Sequence, residues 1–421
     1  MFGGKSPDVL VVGAGPVGLF AALGLARSGV RVRIVDRDWR TGAHSYALAL
    51  HGDSLGLLGR LGLREQVLDR AYRVDTLALY DGSGHRAEVK LSAEEGSPGF
   101  VAAMRQDALE KMLEDELRRL GVKVAWNHEV AGLEAGEDHV TATVNKMVKQ
   151  AVGYAVAHTE WIVARSEQLR VPLVIGADGH ESLVRRSLGV DFAAAGPTEH
   201  YAVFELKSSA DWNHEMRIVF DGGTTSVLWP LSDGHCRWSF QLADSSPRPA
   251  AREKQRVTAP LGAGRYPMLG EENLRTLLAE RAPWFDAPIE EIRWQMVVPF
   301  ERRVAGRFGS GRCWLAGDAG HTTGPAGMQS MNVGLREADC LAEIVAGMLR
   351  EGESAEALEE YNRQRVGEWR FLAGLSGGLR PGPDTDPWIA SVADRLLPCL
   401  PASGKELAAL AGRLKLQVDF G

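Results

Sequence analysis

The distribution of apolar positions divides the chain into segments of different period. "DVLVV" at 8–12 is a short β-branched run of the kind a buried parallel strand needs, and "VRVRIV" at 30–35 is a second. Between them the pattern predicts a helix from about Pro16 to Ser28, with proline in its first turn, where a missing N–H does no harm, and Gly29 at its end. Apolar runs that close on a small residue and an acid recur in "VPLVIGADG" and "RCWLAGDAG"; the second leads into a helix with apolar residues at 333, 335, 338, 341 and 345. Between about 198 and 245 the period shortens to that of strands, in "YAVFELK", "MRIVFDGG", "TTSVLWPL" and "HCRWSFQLA", separated by Asp-Gly and Ser-Asp-Gly turns. Proline-containing loops over 246–268 precede a predicted helix near 271–281, and the tail reads as helices around "LRPGPDTDPW".

The 421 residues suffice for two or three domains, or one large domain with an insertion. A hydrophobic fraction of 45% with 24% charged residues is that of a globular protein. The formal charge of −7 argues against a general polyanion binder, so nucleic acid is not an expected partner. Cys236, Cys313, Cys340 and Cys399 lie far apart without a CxxC pair, which suggests neither a disulfide framework nor a zinc site and fits a reducing cytoplasm. No basic region precedes the first apolar run and glycines interrupt it, so neither a signal peptide nor an integral membrane segment is expected there.

The opening unit carries chemistry. Gly13 permits the tight turn out of the first strand, Gly15 lets backbone approach a pyrophosphate, and Gly18 lets the helix pack close to the sheet; Pro16 opens the helix whose amides point at phosphate. Asp36, at the end of the second strand, can accept hydrogen bonds from ribose hydroxyls and would repel a 2′-phosphate. This unit alone does not separate FAD from NAD. Asp178 with Gly179, and Gly317 with Asp318, occupy equivalent places after later strands, where open α/β sheets bind ligands; each aspartate could instead cap a helix.

These three stations, in this order from about position 8 to 365, make the chain resemble the single-component FAD-dependent aromatic hydroxylases of the para-hydroxybenzoate hydroxylase type. The resemblance implies an α/β fold: an FAD-binding Rossmann-like domain of the glutathione reductase type over 1–75, 100–190 and 281–365. It further implies an inserted antiparallel β-sheet substrate domain over 76–99 and 191–280 and a C-terminal helical segment over 366–421. By the same resemblance Asp36 and Arg37 stand beside the AMP ribose, and Asp178 and Gly179 near the pyrophosphate. Gln106 in "MRQDALEKML" and Asp318 would hold the ribityl chain, and Pro325, Gly327, Met331 and Asn332 would lie along the isoalloxazine. Tyr46 stands where the family commonly supplies an arginine to the phosphates, and Met328 and Ser330 stand where it has glycines.

The implied activity is hydroxylation of an aromatic or polycyclic small molecule with O₂ and NADPH or NADH, through a flavin hydroperoxide, by a cytoplasmic monomer or homodimer. The same scaffold leaves open epoxidation, Baeyer–Villiger oxidation, halogenation and non-catalytic FAD binding, although no WxWxIP segment of the halogenases is present. No metal site and no catalytic base is identified. His321 reads as a hydrogen-bonded structural residue, and Trp229, Trp238 and Trp294 read as core before they read as a substrate wall.

Overall fold

Short apolar runs far apart in the chain lie side by side. In the computed structural model, which describes residues 6–39, 49–91, 99–152, 158–243 and 269–421, Val32–Val35, Val9–Val12, Leu173–Gly176 and Cys313–Leu315 are adjacent parallel strands. Gly309–Ser310 pairs antiparallel at one edge. Val12 faces Val35 on one side and Gly176 on the other, and Gly176 faces Leu315, so the strands end level. Val9–Val12 and Leu173–Gly176 are buried throughout, as a parallel sheet covered on both faces requires. One cover is the helix Pro16–Arg27 with the long helix Gln329–Glu351 packed along it. The other is the antiparallel ribbon His128–Ala135, Val140–Val152 and His158–Val171, whose Val140, Ala142 and Val144 pack with Leu10, Val174 and Leu315.

The strand-period region folds as expected into a sheet of seven strands. The order is Glu291–Phe300, Glu199–Lys207, His235–Gln241, Thr224–Leu231, Glu215–Asp221, Thr76–Asp81, Gly84–Lys90. All neighbours are antiparallel except Glu215–Asp221 with Thr76–Asp81. Alternation gives the sheet two apolar faces. Phe204, Leu228, Trp238 and Phe240 lie under the helix Glu271–Arg281 through its Leu274 and Leu278. Met216, Ile218, Val227 and Trp229 face the main core. Trp238 is a core residue, stacked on Phe240 with ring centroids 4.9 Å apart.

Three elements depart from the sequence expectation. The strand Glu291–Phe300 belongs by pairing to the seven-stranded sheet, beyond the expected limit at 280. The helix Glu356–Leu372 runs unbroken through the expected boundary at 365. The tail holds the helices Pro387–Leu396 and Gly404–Arg413 as expected, but Gly378–Pro381 pairs with Leu416–Asp419 as a two-stranded ribbon. Pro381 and Pro383 forbid helix there, and Leu379 and Leu416 find burial as strand residues instead. No helix among the described residues is long and apolar enough to cross a membrane.

Trp238→Ala empties a fully buried site and is expected to lower the unfolding free energy by about 3–5 kcal/mol, measured by guanidinium unfolding followed by circular dichroism.

Candidate functional site

Level strand ends bring the three stations to one edge. Gly13 leaves the first strand with φ +100°, and a side chain there would overlap the Ala177 carbonyl and lie 2.9 Å from the Asp178 Cα. Gly18 faces the Gly13 carbonyl oxygen so closely that a Cβ would overlap it, with Ala177 Cβ at 3.3 Å. Both glycines are therefore required by protein packed on protein. Gly15 is different: its backbone is ordinary (φ −71°), and an added Cβ would meet nothing within 4 Å. Nothing in the chain demands glycine there, and the open space lies at the N-terminus of Pro16–Arg27, whose cap residue provides no side-chain acceptor. That is the cradle a pyrophosphate needs, with unpaired helix amides beside it.

Asp36 closes this unit. Its Oδ2 accepts from Ala14 N at 2.6 Å and its Oδ1 from Asp38 N at 2.8 Å. Burial raises its carboxyl above the usual range against the pull of those two amides. An additional hydroxyl donor would favour the ionised form. Arg37 is exposed and reaches Glu181 at 3.6 Å, across to the second station.

At that second station the aspartate serves a helix start, although the cap residue itself is Ser182, whose Oγ accepts from Arg185 N at 3.0 Å. Asp178 accepts from Ser182 Oγ at 2.5 Å, Leu183 N at 2.7 Å and Val184 N at 3.2 Å, so its carboxylate holds the start of the short helix Leu183–Ser187, and Gly179 continues the turn. Arg185, buried, donates to His180 O and Ala319 O at 2.7 Å each, which ties the second station to the third.

The third station turns on a buried carboxylate. Gly317 adopts φ +64°, and its N–H donates to Glu337 Oε2 at 2.8 Å; His321 Nε2 lies 2.9 Å from the same oxygen, and Trp369 Nε1 donates to Oε1 at 2.7 Å. Glu337 is fully buried; burial pushes its carboxyl up, but His321 and Arg365 outweigh this and hold it below the usual range. Asp318, by contrast, is exposed and accepts from Ser330 Oγ at 2.5 Å. It does not cap a helix.

The segment from Pro325 to Asn332 is fixed from several sides. Gly327 N donates to Pro398 O at 3.0 Å, a Cβ on Gly327 would come within 2.6 Å of Leu400 O, and Gln329 Nε2 donates to Leu397 O at 2.9 Å. His51 Nε2 donates to Gly327 O at 2.9 Å, and Trp229 Nε1 to Ala326 O at 3.2 Å. Pro325 is buried and Met331 half-buried against the core. Asn332 is spent on the protein itself: its amide donates to Ala49 O and Met328 O, and its oxygen accepts from His51 N at 2.8 Å. Met328 carries the left-handed conformation (φ +53°) of the glycine expected there, at a cost of about 1–2 kcal/mol that burial of its side chain offsets. Its side chain thus turns into the main core.

Gln106 opens the helix Gln106–Arg119, which packs on Pro16–Arg27, and donates to Glu110 at 2.7 Å. Tyr46 lies outside the described residues. A cavity of about 510 Å³ beside Gln106–Arg119, with Arg70, Arg105, Lys111 and Arg293 in its wall, contains none of the station residues and no aromatic ring.

Glu337, His51 and the 397–400 segment were not legible as site residues. A signal for Glu337 exists: it falls four residues after Val333 and four before Leu341, an acid on the apolar stripe of its helix.

The family model described as FAD binding domain matches residues 6–368. The chain is 30% identical over 365 residues to 6-methylpretetramide 4-monooxygenase from Streptomyces rimosus, covering 86% of this chain and 59% of that enzyme. It is 27% identical over 370 residues to rifampicin monooxygenase from Streptomyces venezuelae, covering 85% and 68%. It thus spans less than two thirds of the length of the first of these relatives. Among solved structures, p-nitrophenol 4-monooxygenase from Pseudomonas putida DLL-E4 has the same fold, with a TM-score of 0.71 over 97% of this chain and 94% of that one at 22% identity.

Two outcomes are expected from this geometry. Gly15→Ala leaves the unfolding free energy within about 1 kcal/mol of the wild type, since the space is open and the backbone compatible, yet is expected to weaken FAD binding by roughly tenfold or more if the open space at Gly15 is where a pyrophosphate sits. Gly18→Ala destabilises the ligand-free fold itself; thermal melts and FAD titration of the two variants separate these effects. The second concerns His51, whose imidazole burial depresses to about 3. An unfolded chain binds a proton at this residue that the folded chain does not, so its contribution to stability is present above about pH 6.5 and lost as pH falls toward 3. His51→Gln is expected to flatten the stability profile over that window, measured by urea unfolding at a series of pH values.

Proposed function

The chain belongs to the FAD binding domain family, and from that membership we propose that it is an FAD-dependent monooxygenase that hydroxylates an aromatic or polycyclic small molecule using O₂ and NADPH or NADH. The observation that carries this reading is the row of turns after the level strand ends, with open space at Gly15 and with Asp36 and the exposed Asp318 each following a strand.

In this reading the first amides of Pro16–Arg27 receive the pyrophosphate, with Gly13 and Gly18 allowing the close approach of turn, helix and neighbouring strand. Asp36 accepts from the adenosine ribose beside Arg37. Asp178 and Gly179 act by shaping the turn at the pyrophosphate, because the Asp178 carboxylate is engaged by its own helix. Gln106 and Asp318 hold the ribityl chain, and the Pro325–Asn332 segment, including Gly327 and Met331, borders the isoalloxazine. Asn332 contributes by locking this backbone, since its side chain is fully engaged. When bound, FAD supplies the hydride acceptance and O₂ activation that side chains lack.

The chain's remaining tasks are to seat an aromatic substrate and keep water out. Trp229, bonded to Ala326 O, fixes one face of the seven-stranded sheet on the Pro325–Asn332 segment. Tyr201, Val203 and Val298, with Trp294, Met296 and Phe300 packed against them, form an apolar cluster on that sheet. Pairing of Glu205 with Arg237, and of Arg237 with Trp229, puts Tyr201, Val203 and Trp229 on the same face. This cluster supports assigning the sheet as the substrate wall, and burial raises the Tyr201 hydroxyl well above its usual range, so Tyr201 serves there as a neutral hydrogen-bonding group.

Purified protein is expected to carry or take up FAD with flavin absorption bands, and to oxidise NADPH or NADH with O₂ faster when given a productive phenol, quinolone or polyketide-like aromatic. Asp318→Ala is expected to weaken FAD binding by about ten- to a hundredfold, the worth of a hydrogen bond to a charged acceptor, read by flavin fluorescence titration. A protein that neither retains nor takes up FAD contradicts the proposal.

A further inference from the structure

The cavity of about 510 Å³ beside Gln106–Arg119 has a wall rich in cations. Arg105 and Lys111 come from the start of that helix, Arg70 from the stretch after the short helix Arg64–Leu68, and Arg293 from the edge strand of the seven-stranded sheet. The Leu231–Asp233 turn closes it, and Ser232 Oγ fastens this turn to Arg70 O at 2.7 Å. The volume is that of a small-molecule pocket, roughly 300–1,000 Å³, but no aromatic ring lines it.

The cations are gathered by one buried acid. Glu205, on the strand Glu199–Lys207, is 1% exposed; its Oε1 accepts from Arg105 Nε at 3.0 Å and Nη2 at 2.7 Å, and its Oε2 from Arg237 Nη2 at 2.6 Å and Trp294 Nε1 at 3.2 Å. Arg293 Nη1 stands 3.5 Å from Oε1. Its position comes from a bulge: Glu205 faces Trp294 and Leu206 faces Ile292, so Arg293 is an extra residue without a counterpart, and such bulges re-aim a side chain. Arg237 is buried and lies over the Trp294 ring at 4.8 Å, so it balances the carboxylate from within. One negative charge thus meets three guanidinium groups, and the two in the cavity wall, Arg105 and Arg293, are in excess.

The other charges of the wall leave that excess unmet. Lys111 is paired with Asp115 one turn on, at 2.6 Å. Among the described residues Arg70 has no acid within ion-pair distance, Arg105 Nη1 has no protein partner, and Asp107 and Asp233 stand beyond ion-pair distance of every basic group in the wall. Asp107 instead accepts from Ala108 N at 2.9 Å. Guanidinium groups brought together with donors to spare match the oxygens of a phosphate or carboxylate.

We propose that this cavity is an anion site that takes the diphosphate or carboxylate group of a small-molecule ligand, with Arg70, Arg105 and Arg293 as its donors. Arg105 and Asp107 flank Gln106, and Leu231 ends the strand whose Trp229 bonds Ala326 O, so the site adjoins the region assigned above to the flavin. A ligand anchored here by its charge is placed to extend its uncharged part toward that region. That the ligand is the nicotinamide reductant or an acidic aromatic substrate rests on the function proposed above; anion binding itself does not.

The test is calorimetric titration of the full chain with inorganic pyrophosphate, with FAD present to fill the cradle at Gly15. Saturable binding is expected, weakened roughly tenfold by Arg70→Gln and by Arg293→Gln, the loss of one charge-assisted bond each, and unchanged in Gly15→Ala. Both arginines are exposed, so these variants spare the buried Glu205 pairs. Displacement of pyrophosphate by NADP⁺ and NAD⁺ identifies the group as the reductant's diphosphate; displacement by 4-hydroxybenzoate and not by phenol identifies it as an acid on the substrate. No saturable binding, or binding that both arginine variants leave intact, overturns the proposal, and pyrophosphate displaced by none of these compounds overturns the assignment to a reaction ligand. A chain that binds no FAD contradicts the proposed function alone, since the dependence of pyrophosphate binding on Arg70 and Arg293, and not on Gly15, still decides the anion site.

Discussion

Parallel pairing in register is the constraint on which the site depends. Four short strands from four regions of the chain are aligned so that Val35, Val12, Gly176 and Leu315 end level. Neighbouring strands lie about 4.8 Å apart, so the turns that follow them are brought within contact distance whatever their separation in sequence. Asp36, the Gly13–Gly15 turn, the Ala177–Gly179 turn and the Gly317–Asp318 turn follow these ends in that order. A row of turns of that width suits a ligand that is long and carries polar groups at intervals. The absence of a packing reason for glycine at 15, between two glycines that do have one, is the most specific sign that the row has an occupant.

Register alone does not hold the third turn in place. That turn is made of Gly317 and small neighbours, and its position is set by Glu337, an acid on the otherwise apolar face of the long helix. Its carboxylate collects the Gly317 amide, the His321 ring and the Trp369 indole from three separate segments. A lone buried carboxylate would be expensive, and one with three partners, an imidazole among them, is a fastening. Through Trp369 it draws Glu356–Leu372 against the sheet. On the other side of the loop, the 397–400 segment and His51 grip Gly327 and Gln329, so the tail of the chain takes part in shaping the site.

The parts of this architecture legible in sequence are those whose signal is local. The strand, glycine turn and helix at 9–27 carry their own punctuation, and the helix ends one residue from its expected position. The strands between 199 and 241 and the helix at 271–281 are likewise marked by period and by Asp-Gly turns. What escapes is set by partners far away. Glu291–Phe300 is a strand of the seven-stranded sheet because Glu199–Lys207 lies beside it, and Leu416–Asp419 is a strand because Gly378–Pro381 returns to meet it. The same holds within the site. Asp178 and Asp318 look alike in sequence, each following a strand and a small residue, yet one is consumed by the helix Leu183–Ser187 and the other is exposed and accepts from Ser330. Asn332 shows the inverse: a residue expected to border a ligand is occupied on every polar atom by Ala49, Met328 and His51.

The most direct measurement is an experimental structure of the chain with FAD. If one groove across the strand ends seats one extended dinucleotide, the pyrophosphate lies over Gly15 within hydrogen-bond distance of the first amides of Pro16–Arg27, with a ribose at Asp36 and the ribityl chain at Asp318. A dinucleotide bound elsewhere, or one that reaches Asp36 while leaving Asp318 to solvent, contradicts that claim.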